Sequence, residues 1–360
     1  MKEIVFFELK KLMDLRKTII LGVILVILCI GSFFIINFMG DAKSAGELLS
    51  FYSGPVDDNP RLDAATTRYE EIYHQYIKNG VAMDEATQEE WYDLEYPMWL
   101  INCDEVRKSI LKDIGFEAET LVIGDTVAYG FFEEFIANYL PFILGFVIAL
   151  LIAPVFALEY GNKMDGLVLS TKHGKKNVII GKFIAANLVI LAVYSFLVGV
   201  FGTISVAVWG VSDGNASFVF AADNVYIYSS SPYNFRVLQY MMILIGCSLL
   251  GCLGFGCLTL FVSSRCKNAL SASMVSLALV YVPLLTFKML GENEGIVPNI
   301  LRLFHGAVMG VRTLFSNYFP VVIGNVTLTI PTISIGIVCV SSVFFSIFAF
   351  RGFKKHQAEN

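Results

Sequence analysis

The chain has 360 residues, of which 56% are hydrophobic and only 16% charged, and its mean hydropathy is +0.66. Soluble globular chains run at about 45–50% apolar and about 25% charged. With a net charge of −5, this balance excludes a disordered segment, a collagen, a disulfide scaffold and a nucleic-acid binder, and leaves an integral membrane protein.

Residues 1–17 come first and read as an amphipathic helix. Val5, Phe6, Leu9, Leu12 and Met13 share one side and Glu3, Lys10 and Asp14 the other. Such a helix lies in the membrane interface, with Lys10, Lys11, Arg16 and Lys17 near the headgroups. Six apolar runs follow, near 18–38, 137–158, 183–210, 237–263, 269–287 and 328–350. A hydrocarbon core of about 30 Å needs about 20 helical residues. The first run carries 15 Leu, Ile, Val or Phe residues and no charge, which favours insertion by about 5–9 kcal/mol. Its length and its long charged lead point to a retained anchor over a cleaved signal peptide, although Ala42 and Ala45 offer a cleavage pattern. The fifth run is the shortest, and Pro283 and Lys288 blur its end.

Between the first two runs lies a long acidic and aromatic segment, 39–136. Leu62, Ala65, Tyr69, Ile72, Tyr73, Tyr76 and Ile77 recur at helical spacing. Asp84 is placed to cap a second helix, interrupted at Pro97, and Val106, Ile110 and Ile114 suggest a third. The segment therefore reads as a small helical outer domain. A further outer loop, 211–236, precedes the fourth run.

Between the fifth and sixth runs, 288–327 is amphipathic. Val297, Ile300, Leu301, Phe304, Val308, Val311, Leu314 and Phe315 repeat at three and four, with Arg302, His305, Arg312 and Ser316 opposite. This segment reads as lying on the outer leaflet or dipping in as a re-entrant hairpin, a backbone tolerated only against protein or a water-filled cavity.

Orientation follows from Lys and Arg in short loops. Segments 1–17, 159–182, 264–268 and 351–360 together hold 15 basic and six acidic residues. Segments 39–136, 211–236 and 288–327 hold 11 basic and 25 acidic residues. The first set is placed in the cytoplasm, with both termini, in a membrane of the bacterial plasma type.

The interiors of the six runs, so bounded, carry no Asp, Glu, Lys, Arg or His, which disfavours an ion-coupled transporter or channel. Small residues mark packing faces: Ser248, Cys252 and Gly256 stand four apart in the fourth run, flanked by Gly251. Such stripes serve packing within the chain or a dimer seam. The sequence has no phosphate loop, no H-E-x-x-H zinc site and no G-x-S-x-G elbow. Nor do its histidines and seven cysteines show metal-ligand spacing. No catalytic residue and no metal is expected, and the chain reads as a non-enzyme.

The most patterned inner loop is 159–182. It starts at Glu159-Tyr160, passes a short apolar and charged stretch with Met164, Asp165, Leu167 and Val168, and turns through Lys172, Lys175 and Lys176 to Gly181-Lys182. A lysine-rich loop can serve topology alone, but topology does not explain the acidic residues or the apolar face. Here the sequence resembles the permease subunits of ABC-2 type exporters, which share the membrane fold of G-type ABC transporters. The resemblance covers nearly the whole chain: lead helix, six spans, the loop between spans two and three, and the amphipathic stretch before span six. It implies an all-α membrane fold in which this loop couples to a separate ABC ATP-binding subunit that binds ATP and magnesium. The coupling residues would be Glu159, Tyr160, Met164, Asp165, Leu167, Val168, Lys172, Lys175, Lys176, Gly181 and Lys182, with Gly181-Lys182 opening the third span. Arg302, His305 and Arg312 would belong to the exit segment. A second permease chain is implied, and the apolar spans suit an amphiphilic cargo such as an antimicrobial peptide, a drug or a lipid-like molecule. A membrane scaffold or sensor with a ligand-binding outer domain is the alternative, since fold alone does not fix function.

Overall fold

The computed structural model describes residues 1–39, 42–113, 115, 117, 119–161, 176–211, 213–221, 225–228, 231–290, 295–317, 320–323 and 326–356. Six helices are long and apolar enough to cross a membrane: Leu15–Phe38, Val127–Tyr160, Asn177–Trp209, Val237–Ser263, Ala269–Leu290 and Ile330–Phe353. We number them as spans one to six. A leading helix, α1 (Lys2–Leu12), precedes them. Glu3 in its first turn and Lys10 and Lys11 in its last suit the helix dipole.

Span two organises the bundle. Its 34 residues rise about 51 Å at 1.5 Å each, well beyond a hydrocarbon core of about 30 Å. Both ends therefore protrude, and both carry buried charge. The helix is interrupted twice, by a π-helical turn at Phe135–Tyr139 and by a break at Ala153–Pro154. Pro154 has no N–H to give. Ser263 of span four covers the break: its hydroxyl donates to the Ala153 carbonyl at 2.6 Å and accepts from the Phe156 and Ala157 amides.

The structure corrects the sequence expectations in three places. The helix of span two starts at Val127, ten residues before the expected bound, so Glu133 and Glu134 lie on that helix and not in an outer loop. The helix Glu85–Asp113 runs through Pro97 without interruption, merging the second and third expected helices. Burial of Pro97, Trp99, Leu100 and Cys103 overrides the local cost of the missing amide. Span three starts at Asn177, so Gly181 and Lys182 stand inside the helix and do not open it.

The described residues between 42 and 126 form a small helical region. Asn59 caps the helix Pro60–Ile72 by accepting from the Arg61 and Leu62 amides. Tyr69 stacks on Trp91 at 4.2 Å between ring centroids, joining that helix to Glu85–Asp113. A two-residue antiparallel pairing, Gly54 to Ile123 and Pro55 to Val122, closes the base. Between spans five and six lie three short helices, Ile296–Leu301, His305–Gly310 and Arg312–Phe315, and an antiparallel hairpin that pairs Pro320–Ile323 with Val326–Thr329.

The two-faced helix expected over 297–315 is replaced by three short helices. Arg302, Arg312 and Ser316 are buried together with Val308, Val311, Leu314 and Phe315, whereas Val297, Ile300 and Phe304 are exposed. Of the polar residues, Arg312 meets charged partners on span two.

Candidate functional site

At the end of the bundle that carries α1, four charged side chains meet. Lys182 of span three is fully buried, and its Nζ donates to Glu159 Oε1 at 2.6 Å and to Glu8 Oε2 at 3.1 Å. It also donates to the Val155 carbonyl. Lys11 adds a second cation to Glu159 at 3.0 Å. Two lysines and two carboxylates thus balance in a site that would otherwise cost several kcal/mol per ion. Glu159 Oε2 remains buried without a hydrogen-bond donor among the described residues.

The cluster exists because α1 packs closely on span three. Gly181 makes the approach possible: a Cβ there would stand 2.7 Å from Ile4 Cγ2. Ile4, Val5, Leu9 and Leu12 are partly buried, while Phe6 and Phe7 are exposed. Tyr160 ties the same end to the turn after span four through the Ser264 carbonyl and to span six through the Phe353 ring, 5.7 Å away. Lys176 is exposed just before span three. Of the expected coupling residues, Glu159, Tyr160, Gly181 and Lys182 are therefore gathered at one end. Met164, Asp165, Leu167, Val168, Lys172 and Lys175 lie outside the described residues. Glu8 and Lys11 were absent from the expected set; their signal was a carboxylate on the inward face of a helix read as interfacial.

The other end of span two carries a second cluster. Arg312 Nε donates to Glu133 Oε1 at 2.9 Å, and its Nη2 reaches both Glu133 Oε2 and Glu134 Oε2. The Tyr228 hydroxyl donates to Glu133 Oε1 at 2.7 Å and stands 2.6 Å from the Tyr240 hydroxyl. Asn138 donates to Glu134 and accepts from Lys288, both at close range. Burial works against the charge on Arg312, but Glu133 and Glu134 outweigh it and hold the guanidinium well above its ordinary pKa. Burial, followed by the Glu133 charge, pushes the Tyr228 phenol up.

Local backbone supports this second cluster. Val311 takes φ 61°, a conformation that costs a β-branched residue about 1–3 kcal/mol, and the turn brings Arg312 round to span two. Gly310 sits against the π-helical turn, where a Cβ would come within 2.8 Å of the Ala137 carbonyl oxygen. A cavity of about 220 Å³ lies beside it, walled by Pro283, Leu284 and Phe287 of span five and reaching Asn138, Lys288 and Arg312.

The other expected residues are placed as packing. Arg302 donates to Asn299 and lies over the Phe287 ring, 5.4 Å from its centre. His305 packs between spans four and six, near Ser341 and Phe345. Burial pushes its imidazole down to a pKa of about 4. The stripe on span four is filled from within the chain. Gly251 meets the backbone of Val308 and Met309, Gly256 meets Ile190, and Ser248 and Cys252 are fully buried.

One family model, described as ABC-2 family transporter protein, matches residues 3–356. The chain belongs to the ABC-2 transporter family. It is a multi-pass membrane protein, the permease of an ABC transporter, and it is not itself the ATPase. Membership implies association with an ABC ATP-binding subunit. No curated protein and no solved structure is similar enough to match. In this ABC-2 permease the α1 end brings together the lead helix and the two spans that flank residues 162–175. The opposite cluster locks span two to the segment before span six.

Proposed function

We propose that this ABC-2 permease is the membrane half of an exporter that moves an amphiphilic cargo outward. The cargo class is an antimicrobial peptide, a drug or a lipid-like molecule. The α1 end faces the cytoplasm of a bacterial plasma membrane, both termini with it, and docks the ATP-binding subunit, which holds ATP and magnesium. Two ATPases require two permease chains, identical or paralogous.

One observation carries the coupling assignment: Glu159, Lys182, Glu8 and Lys11 tie the end of span two, the start of span three and α1 into one charged unit. Force applied to the loop 162–175 reaches two spans and α1 together through that unit. Rigid-body movement of packed elements is the ordinary way such work is transmitted. Glu159, Tyr160, Met164, Asp165, Leu167, Val168, Lys172, Lys175, Lys176, Gly181 and Lys182 form the coupling surface and its support. Arg302, His305 and Arg312 belong to the exit segment.

The test is purification of the tagged chain in mild detergent, followed by mass spectrometry and an ATPase assay. A stoichiometric ATP-binding protein with vanadate-sensitive activity is the expected result. Recovery of the chain alone, from membranes that contain candidate ATPases, would overturn the reading.

A further inference from the structure

The cavity beside Gly310 is lined by two charged side chains, and both are cations. Lys288 and Arg312 form part of its wall, whereas neither Glu133 nor Glu134 does. Its volume of about 220 Å³ lies below the range of drug-sized sites, about 300–1,000 Å³. A headgroup-sized occupant fits that room better than a whole drug. The rest of the wall is largely apolar, from Pro283, Leu284 and Phe287 of span five to Leu301 and Phe304.

Two observations give the cavity a chemistry. Arg312 is only 8% exposed. Its Nε and Nη2 are taken up by Glu133 and Glu134, and its Nη1 makes no hydrogen bond among the described residues. Nη1 is not sealed inside protein, as the unpaired Nε and Nη2 of Arg107 are. Because the guanidinium is a rigid planar fork, pairing one edge with the glutamates turns the other toward the cavity. The second cation is Lys288, exposed two residues before the end of span five. Its Nζ donates to Asn138 Oδ1 at 2.6 Å, and no carboxylate pairs with it among the described residues. An ammonium has three donors, so two remain.

The mouth faces lipid. Of the residues that line the cavity, Lys288 and Phe304 are the exposed ones. Val282, Leu285 and Met289 of span five continue the exposed apolar surface. A lysine and an aromatic ring at the end of a span mark the headgroup level.

We propose that this cavity takes the anionic head of a phospholipid from the leaflet at the end opposite α1. One phosphate oxygen accepts from Arg312 Nη1 and another from the Lys288 ammonium, the charge-assisted pairing that phosphate favours. The acyl chains leave past Phe304 along the outside of span five. A zwitterionic lipid brings its own cation to a site that already holds two, so an anionic lipid is preferred. The site needs only the membrane-spanning fold, and neither the cargo nor the direction of transport.

The experiment uses the full chain in phosphatidylcholine nanodiscs and a phosphatidylglycerol probe with a diazirine near the head of one acyl chain. Saturable labelling of peptides spanning 283–288 and 301–313 is expected. Unlabelled phosphatidylglycerol should compete about tenfold better than added phosphatidylcholine. Arg312 also holds the glutamates, so Lys288 is the cleaner residue to change. Lys288→Gln should weaken labelling about fivefold, the scale of a partly exposed charge contact, and Lys288→Arg should retain it. Lys112→Gln, at an exposed lysine of the helical region, should leave it unchanged. Phosphatidylglycerol should also raise the melting temperature of the wild type more than that of Lys288→Gln. Labelling spread evenly over all six spans, equal competition by phosphatidylcholine, equal losses in Lys112→Gln, or indifference to Lys288→Gln would overturn the proposal. Competition by inorganic phosphate equal to that by phosphatidylglycerol would overturn the lipid in favour of a free oxyanion.

Discussion

Arg312 and Glu133 stand 179 residues apart in the chain and meet as a buried pair, Nε to Oε1 at 2.9 Å, with Glu134 on the same guanidinium. The pair fastens the segment before span six to the far end of span two, beside a π-helical turn. Such turns gather at functional sites.

Removing one partner leaves a buried charge without compensation, at a cost of about 3–5 kcal/mol. Arg312→Ala should therefore lower the detergent melting temperature sharply, and Glu133→Ala nearly as much. The double variant Arg312→Ala, Glu133→Ala should lose less than the sum of the two single losses, because the buried partner that either single change leaves alone is gone, and Glu134 keeps Asn138. Additive losses in that cycle would show that the two side chains do not act as a pair.

At the opposite end, Glu159 holds Lys182 and Lys11 together. Glu159→Ala should leave the protein inserted yet abolish cargo movement and separate it from ATP hydrolysis by the partner. The same change leaves Lys182 with Glu8 and the Val155 carbonyl and takes the carboxylate from Lys11, so stability must be checked independently. Glu159→Gln, which keeps the size and one oxygen acceptor for Lys182, should hold more stability than Glu159→Ala while transport stays lost. Full transport in Glu159→Gln would remove the Glu159 charge from the coupling role.

Gly181 and Ile4 make a steric pair with a sign that can be worked out beforehand. A leucine at 181 places atoms where Ile4 Cγ2 now stands, 2.7 Å from the new Cβ. The helix itself would gain propensity, by up to about 1 kcal/mol, so any loss comes from displacing α1. Gly181→Leu should raise hydrogen exchange over residues 2–12, and Ile4→Ala should restore part of the protection. Unchanged exchange in the single variant would mean that α1 is held by the ion cluster alone.

The elements that sequence made legible are those set by local rules. Six apolar runs and the lead helix are visible because hydrophobicity and period are properties of neighbours in the chain. Glu159 and Lys182 stood out through the pattern of their loop. What escaped depends on contacts between distant residues. Glu133 and Glu134 carry charge and so read as outer loop, although Phe131, Phe132 and Phe135 around them signalled a span. Arg312 read as the wet face of an amphipathic helix, because periodicity assumes an unbroken helix and the turn at Val311 is not visible in it. Ser263 had no sequence signal for capping a break 110 residues earlier. Pro97 suggested a helix end, and burial of its neighbours overruled it.

His305 provides the pH test. Burial lowers its pKa from 6.5 to about 4 in the folded chain, so the native state binds fewer protons than the unfolded chain between those values. Stability is fully present above pH 6.5 and falls as the pH drops toward 4. The slope approaches 1.4 kcal/mol per pH unit, for a total of about 3 kcal/mol. Carboxylates titrate in the same window, so the wild type alone is not decisive. His305→Gln keeps a polar group of similar reach near Ser341 and removes the titration. Melting temperatures at pH 7.5, 5.5 and 4.5 should fall more steeply for the wild type than for His305→Gln. Parallel curves would assign the acid sensitivity to the carboxylates, and a steeper fall in the variant would reverse the sign of the argument.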